Sequence, residues 1–108
     1  MAKARRNPGK IRVVSWRKIR EFVEDHPEDP SALGSLSKWY DLVRHVPFAN
    51  FNEVKRVFST ASLVGDLVVF NVGGNKYRLT ARFIYEKRRI YIRRVMTHGE
   101  YDAGGWQE

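Results

Sequence analysis

The stretch "FNVGGNKYRLTARFIYEKRRIYIRRVMTHGEYD", residues 70–102, alternates branched or aromatic side chains with polar ones around two turn signals, and so reads as β-structure. "LVVFNV" (67–72) is one strand, "GGN" (73–75) a turn, and "KYRLTARFIY" (76–85) a second strand. "EKRR" (86–89) turns the chain again, and "IYIRRVMTH" (90–98) is a third strand. Successive strand residues point to opposite faces. Tyr77, Leu79, Ala81, Phe83 and Tyr85 therefore share an apolar face, continued by Ile90, Ile92 and Met96. The other face collects Lys76, Arg78, Thr80, Arg82, Tyr91 and Arg93. A turn at 86–89 sets Ile84 against Tyr91, Arg82 against Arg93, and Arg78 against Thr97. Arg94 falls on the apolar parity, which puts it at an edge, snorkelling, or at a bulge. With Phe70 in the core, the first loop has two or four residues rather than three.

Eight lysines and arginines lie between Lys76 and Arg94, against the single acid Glu86. Like charges facing each other across a sheet are destabilising, so folding alone does not ask for them. Guanidinium forks suit bidentate contact with phosphate oxygens. The plainer alternative is a solvated edge whose charges discourage strand-to-strand aggregation.

Upstream the period changes. "IRVV" (11–14) is a short strand, and Ser15 suits a helix N-cap before Trp16, Ile19, Phe22 and Val23, which recur at helical spacing. That helix ends before Pro27. A second begins with Asp29 as N-cap and Pro30 at its first position. Its apolar stripe is Leu33, Leu36, Trp39, Tyr40, Val43 and Val46, and Pro47 stops it. "FNEVKRVF" (51–58) adds one or two helical turns. The result is an α+β fold of order β-α-α-β-β-β, a helical hairpin packed on a small antiparallel sheet. Residues 1–10, with Lys3, Arg5, Arg6 and Lys10, read as a flexible basic tail ahead of one domain over 11–108.

The bulk numbers agree. A chain of 108 residues with 43% hydrophobic and 13% aromatic content builds one modest core. Net charge of +8 points to a polyanionic partner, nucleic acid or an anionic surface. The absence of cysteine excludes disulfides, thiolate zinc sites and a thiol nucleophile, and His26, His45 and His98 lack metal-ligand spacing. Neither a metal nor a cofactor is expected. With no signal-like apolar run and no stretch long enough to span a bilayer, the chain reads as cytoplasmic and free of membranes.

"THGEYD" (97–102) follows the last strand. His98 brings the one nearby side-chain type that exchanges protons near neutrality, with Tyr101 and Asp102 within a turn of it. Beside a basic sheet, these groups suit RNA scission, in which a ribose 2′-OH attacks the adjacent phosphate and cations stabilise the phosphorane. A lone histidine at a strand end also serves purely structural roles.

The residues "FNVGGNKYRL", "IYIRRVMTHGEYD" and "GGW" resemble the HigB-type toxins of bacterial toxin–antitoxin systems, members of the RelE/ParE superfamily, from about Ile11 to Trp106. The resemblance implies a RelE-like fold and an mRNA interferase, an endoribonuclease cutting messenger RNA on the 70S ribosome. It also implies a helix-turn-helix antitoxin of the HigA kind. By position it implies Arg78, Arg93, His98 and Tyr101 as catalytic residues, with Lys76, Arg82, Tyr91 and Arg94 binding RNA. Asp102 either orients His98 or caps a turn, and Trp106 either stacks a base or closes the core. Two other functions fit the same fold. A ParE-like toxin would bind gyrase and cut no RNA; a non-catalytic RNA-binding module would survive loss of His98 and Tyr101.

Overall fold

The computed structural model describes residues 11–107. Its elements run β1 (Arg12–Val14), α1 (Trp16–Asp25), α2 (Ala32–His45), α3 (Phe51–Val57), β2 (Ser62–Val64), β3 (Leu67–Val72), β4 (Tyr77–Ile84), β5 (Arg89–Thr97) and α4 (His98–Ala103). The strands form one sheet in the order β1-β5-β4-β3-β2, with β1 parallel to β5 and the other neighbours antiparallel. The α+β class and the helical hairpin are as the sequence suggests. The sheet is mixed rather than antiparallel, because β1 is reached through the helices and enters beside β5 in the same direction. β2 is an added strand, folded onto β3 at Gly65, whose φ of 62° suits the tight turn. The basic tail assigned to residues 1–10 lies outside the described residues.

The principal core lies between helices and sheet. Ile19 and Phe22 of α1 and Ala32, Leu36, Trp39 and Val43 of α2 pack on Val68, Phe70, Leu79, Ala81, Ile90 and Ile92. The α2 stripe is thus rotated from the expected one: Ala32 starts it, and Leu33 is 47% exposed. Its start also moves, because the Asp29 carboxylate is engaged elsewhere. It accepts the Ser31 N–H at 3.0 Å and the Ser31 hydroxyl at 2.6 Å, which shapes a turn before the helix rather than capping it. Tyr77 Oη and Lys76 Nζ also donate to it, tying the helical turn to the start of β4.

Phe70 pairs with Leu79 and Val72 with Tyr77, so the β3–β4 loop has four residues, 73 to 76. Between β4 and β5 the register slips. Ala81 pairs with Ile92 and Thr80 with Arg94, leaving Arg93 as the extra residue of a β-bulge. The bulge inverts every assignment beyond it. Beyond it Arg78 faces Met96, not Thr97, whereas Arg82, on the turn side of the bulge, faces Tyr91 rather than Arg93 because residues 85–88 make the connection. The direct cross-strand pairing of Arg82 with Arg93 is therefore absent. Arg94 joins the outer face beside Thr80, while Val95 turns to the helices.

Met96 also crosses to the outer face. There it meets Leu67, Val69 and Trp106 in a second, smaller core, with Val64 and Tyr101 packed against it. Trp106 is 7% exposed and donates from Nε1 to the Tyr101 carbonyl at 3.1 Å. The tryptophan closes a core.

Candidate active site

The four-residue loop after β3 turns with Gly73, Gly74 and Asn75 all at positive φ, 69°, 62° and 84°. Asparagine tolerates that region because its short polar side chain bonds locally. Here it bonds Arg78. Asn75 Oδ1 accepts from Arg78 Nη2 at 2.7 Å, while the carbonyls of Asn75 and Tyr77 accept from Nη1 at 3.3 and 3.1 Å. Arg78 is only 7% exposed, and its partners among the described residues are carbonyl oxygens and one aromatic ring, with no carboxylate. A buried guanidinium bonded in this way has no carboxylate to offset it and a fixed fork orientation.

The ring belongs to Tyr101, 5.5 Å from the guanidinium carbon. On its other side Tyr101 stacks on Trp106, with centroids 4.8 Å apart and planes at 22°. Helix α4 holds the tyrosine there. Its N-cap is Thr97, whose hydroxyl accepts the Glu100 N–H at 3.1 Å while Glu100 returns a carboxylate to the Thr97 N–H at 2.9 Å. The His98 N–H donates to the Lys76 carbonyl at 2.9 Å, pinning the first turn of α4 to the start of β4. In helical spacing His98 stands beside Tyr101 and Asp102 on one face. Asp102 Oδ2 lies 3.2 Å from His98 Nε2, placed to pair with the imidazole when it is protonated. The histidine side chain is 44% exposed and open to substrate.

The structure thus brings Arg78, Tyr101 and His98 together at one end of the outer face. It does not bring Arg93 to them. Arg93 is three positions along β5 from Met96, the partner of Arg78, a separation of about 10 Å at strand rise. Arg82 is with it at that end, half exposed and 3.8 Å from the Asp66 carboxylate, and Tyr91 faces Arg82. Arg94 sits across from Thr80, between the two ends. Lys76 turns away to Asp29 at 3.3 Å and to the Ser31 hydroxyl at 3.2 Å.

Asp29 and Tyr77 each shift the other's titration, in both cases as the second cause. The Ser31 hydroxyl, then the Tyr77 hydroxyl and the Ser31 N–H, hold the Asp29 carboxyl well below the usual carboxylate range. Burial, then the bond to Asp29, pushes Tyr77 up to about 12.

Sequence reasoning missed Asn75 as the holder of Arg78 and missed α4 altogether. The second had a signal: Thr97-x-x-Glu100 is a capping box written in the chain. Among the described residues no group of three His, Cys, Asp or Glu could hold a metal ion, and no helix is long and apolar enough to cross a membrane.

A helical hairpin on a five-stranded sheet, with a caged arginine and a histidine–tyrosine helix at its end, defines a RelE-like α+β toxin fold. Residues 32–104 match the family model described as "HigB_toxin, RelE-like toxic component of a toxin-antitoxin system", and the chain belongs to that family. It is 30% identical over 95 residues to the mRNA interferase toxin HigB of Escherichia coli, covering 85% of this chain and 88% of that one. The mRNA interferase HigB of Shigella flexneri is similar to the same extent, 30% over 95 residues and the same shares of both chains.

Proposed function

We propose that this chain is the toxin of a type II toxin–antitoxin system, an mRNA interferase that cuts messenger RNA on the ribosome and so inhibits translation in the cytoplasm. One observation carries the proposal: a buried, carboxylate-free Arg78 lies against Tyr101 on the short helix that also presents His98 beside Asp102. A protein that only bound RNA, or only bound gyrase, has no need to assemble those groups. The family and its interferase relatives support the same conclusion.

In this mechanism the scissile phosphate lies against the open N–H groups of Arg78. The fixed guanidinium offsets charge that grows on the phosphorane oxygens, and it needs no reorganisation to do so. Asp102 on Nε2 leaves His98 Nδ1 to exchange a proton with substrate. The Tyr101 hydroxyl, which has no hydrogen-bond partner among the described residues, is the second proton-transfer group. One of the two takes the 2′-OH proton and the other protonates the departing 5′ oxygen. No step calls for a cofactor or a metal. Arg82, Tyr91, Arg93 and Arg94 bind the flanking strand, and Lys76 supports from its pairing with Asp29. A helix-turn-helix antitoxin of the HigA kind is the cognate partner, silencing the toxin by covering or distorting this face.

The test is cleavage of messenger RNA, free and on programmed 70S ribosomes, with ends mapped by primer extension for the wild type, Arg78→Ala and His98→Ala. Ribosome-dependent cuts lost in both variants are expected. A folded wild type that halts growth yet cuts no RNA in either setting overturns the proposal and favours gyrase.

A further inference from the structure

The outer face continues past the bulge into a cavity of about 370 Å³ between β5 and the start of α1. Lys18, Arg82 and Arg93 line it, with Ser15 at its rim and Tyr91 among its walls; none of its lining residues is acidic. The larger groove nearby, about 890 Å³, shares Arg93 and Lys18 but also takes in Glu21, Asp25, Asp66 and Glu100, a mixed field with no preference for an anion. The smaller cavity has a single sign.

Its cations are also uncommitted. Neither Lys18 nor Arg93 has a side-chain hydrogen bond or ion pair among the described residues, and Arg82 has only the long 3.8 Å contact with the exposed Asp66. Ser15, the residue before α1, makes no side-chain capping bond, so its hydroxyl is a spare donor. Three cations brought to one cavity by a helix, a strand and a bulge repel one another unless an anion joins them. Apolar Val14, Ile84 and Ile92 complete the lining, which suits a sugar beside a charged group.

We propose that Lys18, Arg82 and Arg93 form a second phosphate subsite that takes a flanking phosphodiester of the RNA strand, with the adjoining ribose against Tyr91. The inference rests on the interferase mechanism above and deepens it. Arg78 addresses the phosphate that reacts, and this cavity holds a neighbouring phosphate that does not. It gives the bulge a purpose, since the ladder continued unbroken from the turn would have set Arg93 across from Thr80 as an ordinary paired position. It also brings in α1, through Lys18, as part of the substrate site.

The test uses the exposed Lys18, as Lys18→Gln and Lys18→Glu, with folding checked by circular dichroism. Binding of a 2′-O-methyl RNA, which cannot be cut, is measured across salt concentrations. Losing one phosphate contact flattens the slope of log affinity against log salt by about 0.7 for a single strand. In cleavage the KM should rise with kcat unchanged, because a flanking contact is made equally in ground and transition states. In a separate titration, inorganic phosphate should move the amide signals of Trp16 and Arg17 and the Arg93 side-chain signal, less so in Lys18→Gln. Wild-type slope and KM in both variants, while the wild type cuts RNA, overturn the subsite and leave the interferase mechanism standing. Phosphate shifts that depend on Lys18 in a protein that neither binds nor cuts RNA overturn that mechanism and the RNA assignment together, leaving a plain anion site.

Discussion

The two ends of the outer face carry the same residue type in opposite states. At one end Arg78 is buried and bonded by three carbonyl oxygens, and it lies against an aromatic ring. At the other, Arg82 and Arg93 are exposed, and Arg93 has no partner at all among the described residues. A guanidinium that is already desolvated and oriented stabilises charge that appears only in the transition state. One that is solvated and mobile loses side-chain freedom on binding, and its contact is made as well with substrate as with the transition state. The contrast assigns chemistry to the first end and grip to the second.

Removing the proton carrier should break the contrast most severely. His98→Ala is expected to lower kcat by about 10²- to 10⁴-fold with RNA affinity retained, read in single-turnover cleavage against binding of uncleavable RNA. Asp102→Asn keeps the ring but removes its charged partner, and a loss of about tenfold to a hundredfold should follow, short of the alanine variant. An Asp102→Asn protein as impaired as His98→Ala would mean that the carboxylate does more than pair with the ring.

Trp106→Ala asks whether the reactive end depends on the second core. Deleting a tryptophan buried on Met96, Leu67 and Val69 should cost about 3 kcal/mol, measured by urea denaturation. It should also release Tyr101, which stacks on it, so activity should fall further than the folded fraction does. Activity that simply follows the folded fraction would show that Tyr101 is held by Arg78 and α4 alone.

The smallest effects concern pH and the Asp29–Tyr77 bond. Asp29 has a lowered native pKa, so its contribution is present above the ordinary carboxylate range near 4 and is lost as pH falls through that range and below. Tyr77 has a raised one, so its contribution is full below about 10, the usual tyrosine value, and is lost as pH rises through about 12. Asp29→Asn should flatten stability against pH on the acid side and bring alkaline unfolding to lower pH. Thermal melts across the pH range would show it. Unchanged curves would mean that the bond contributes nothing.

The same contrast explains what was legible in the chain. Alternation located β3, β4 and β5 and put Arg78 and Arg82 on the outer face, because period two fixes the face wherever pairing is regular. It failed at Arg93, since a bulge adds a residue without changing residue type; Arg94 on the wrong parity was its only trace. Everything beyond the slip moved with it, so Met96 was assigned to the wrong core. Helix ends at Pro27 and Pro47 were readable, but Asp29 was not, because its partner Tyr77 is 48 positions away. β2 has three residues, too few for a period. The candidate chemistry was visible as a list of residues. Its division into two ends was not, because that depends on the bulge, the Asn75 turn and α4.

The most direct test of that division compares Arg78→Lys with Arg93→Lys in single-turnover cleavage over a range of RNA concentrations. Both keep the charge and lose the fork, so the comparison isolates geometry at each end. Arg78→Lys should lower the rate at saturating RNA by about a hundredfold or more, with the half-saturating concentration little changed. Arg93→Lys should raise the half-saturating concentration and leave the saturated rate near wild type. Equal losses of saturated rate in the two variants, or a loss confined to Arg93→Lys, would contradict the account.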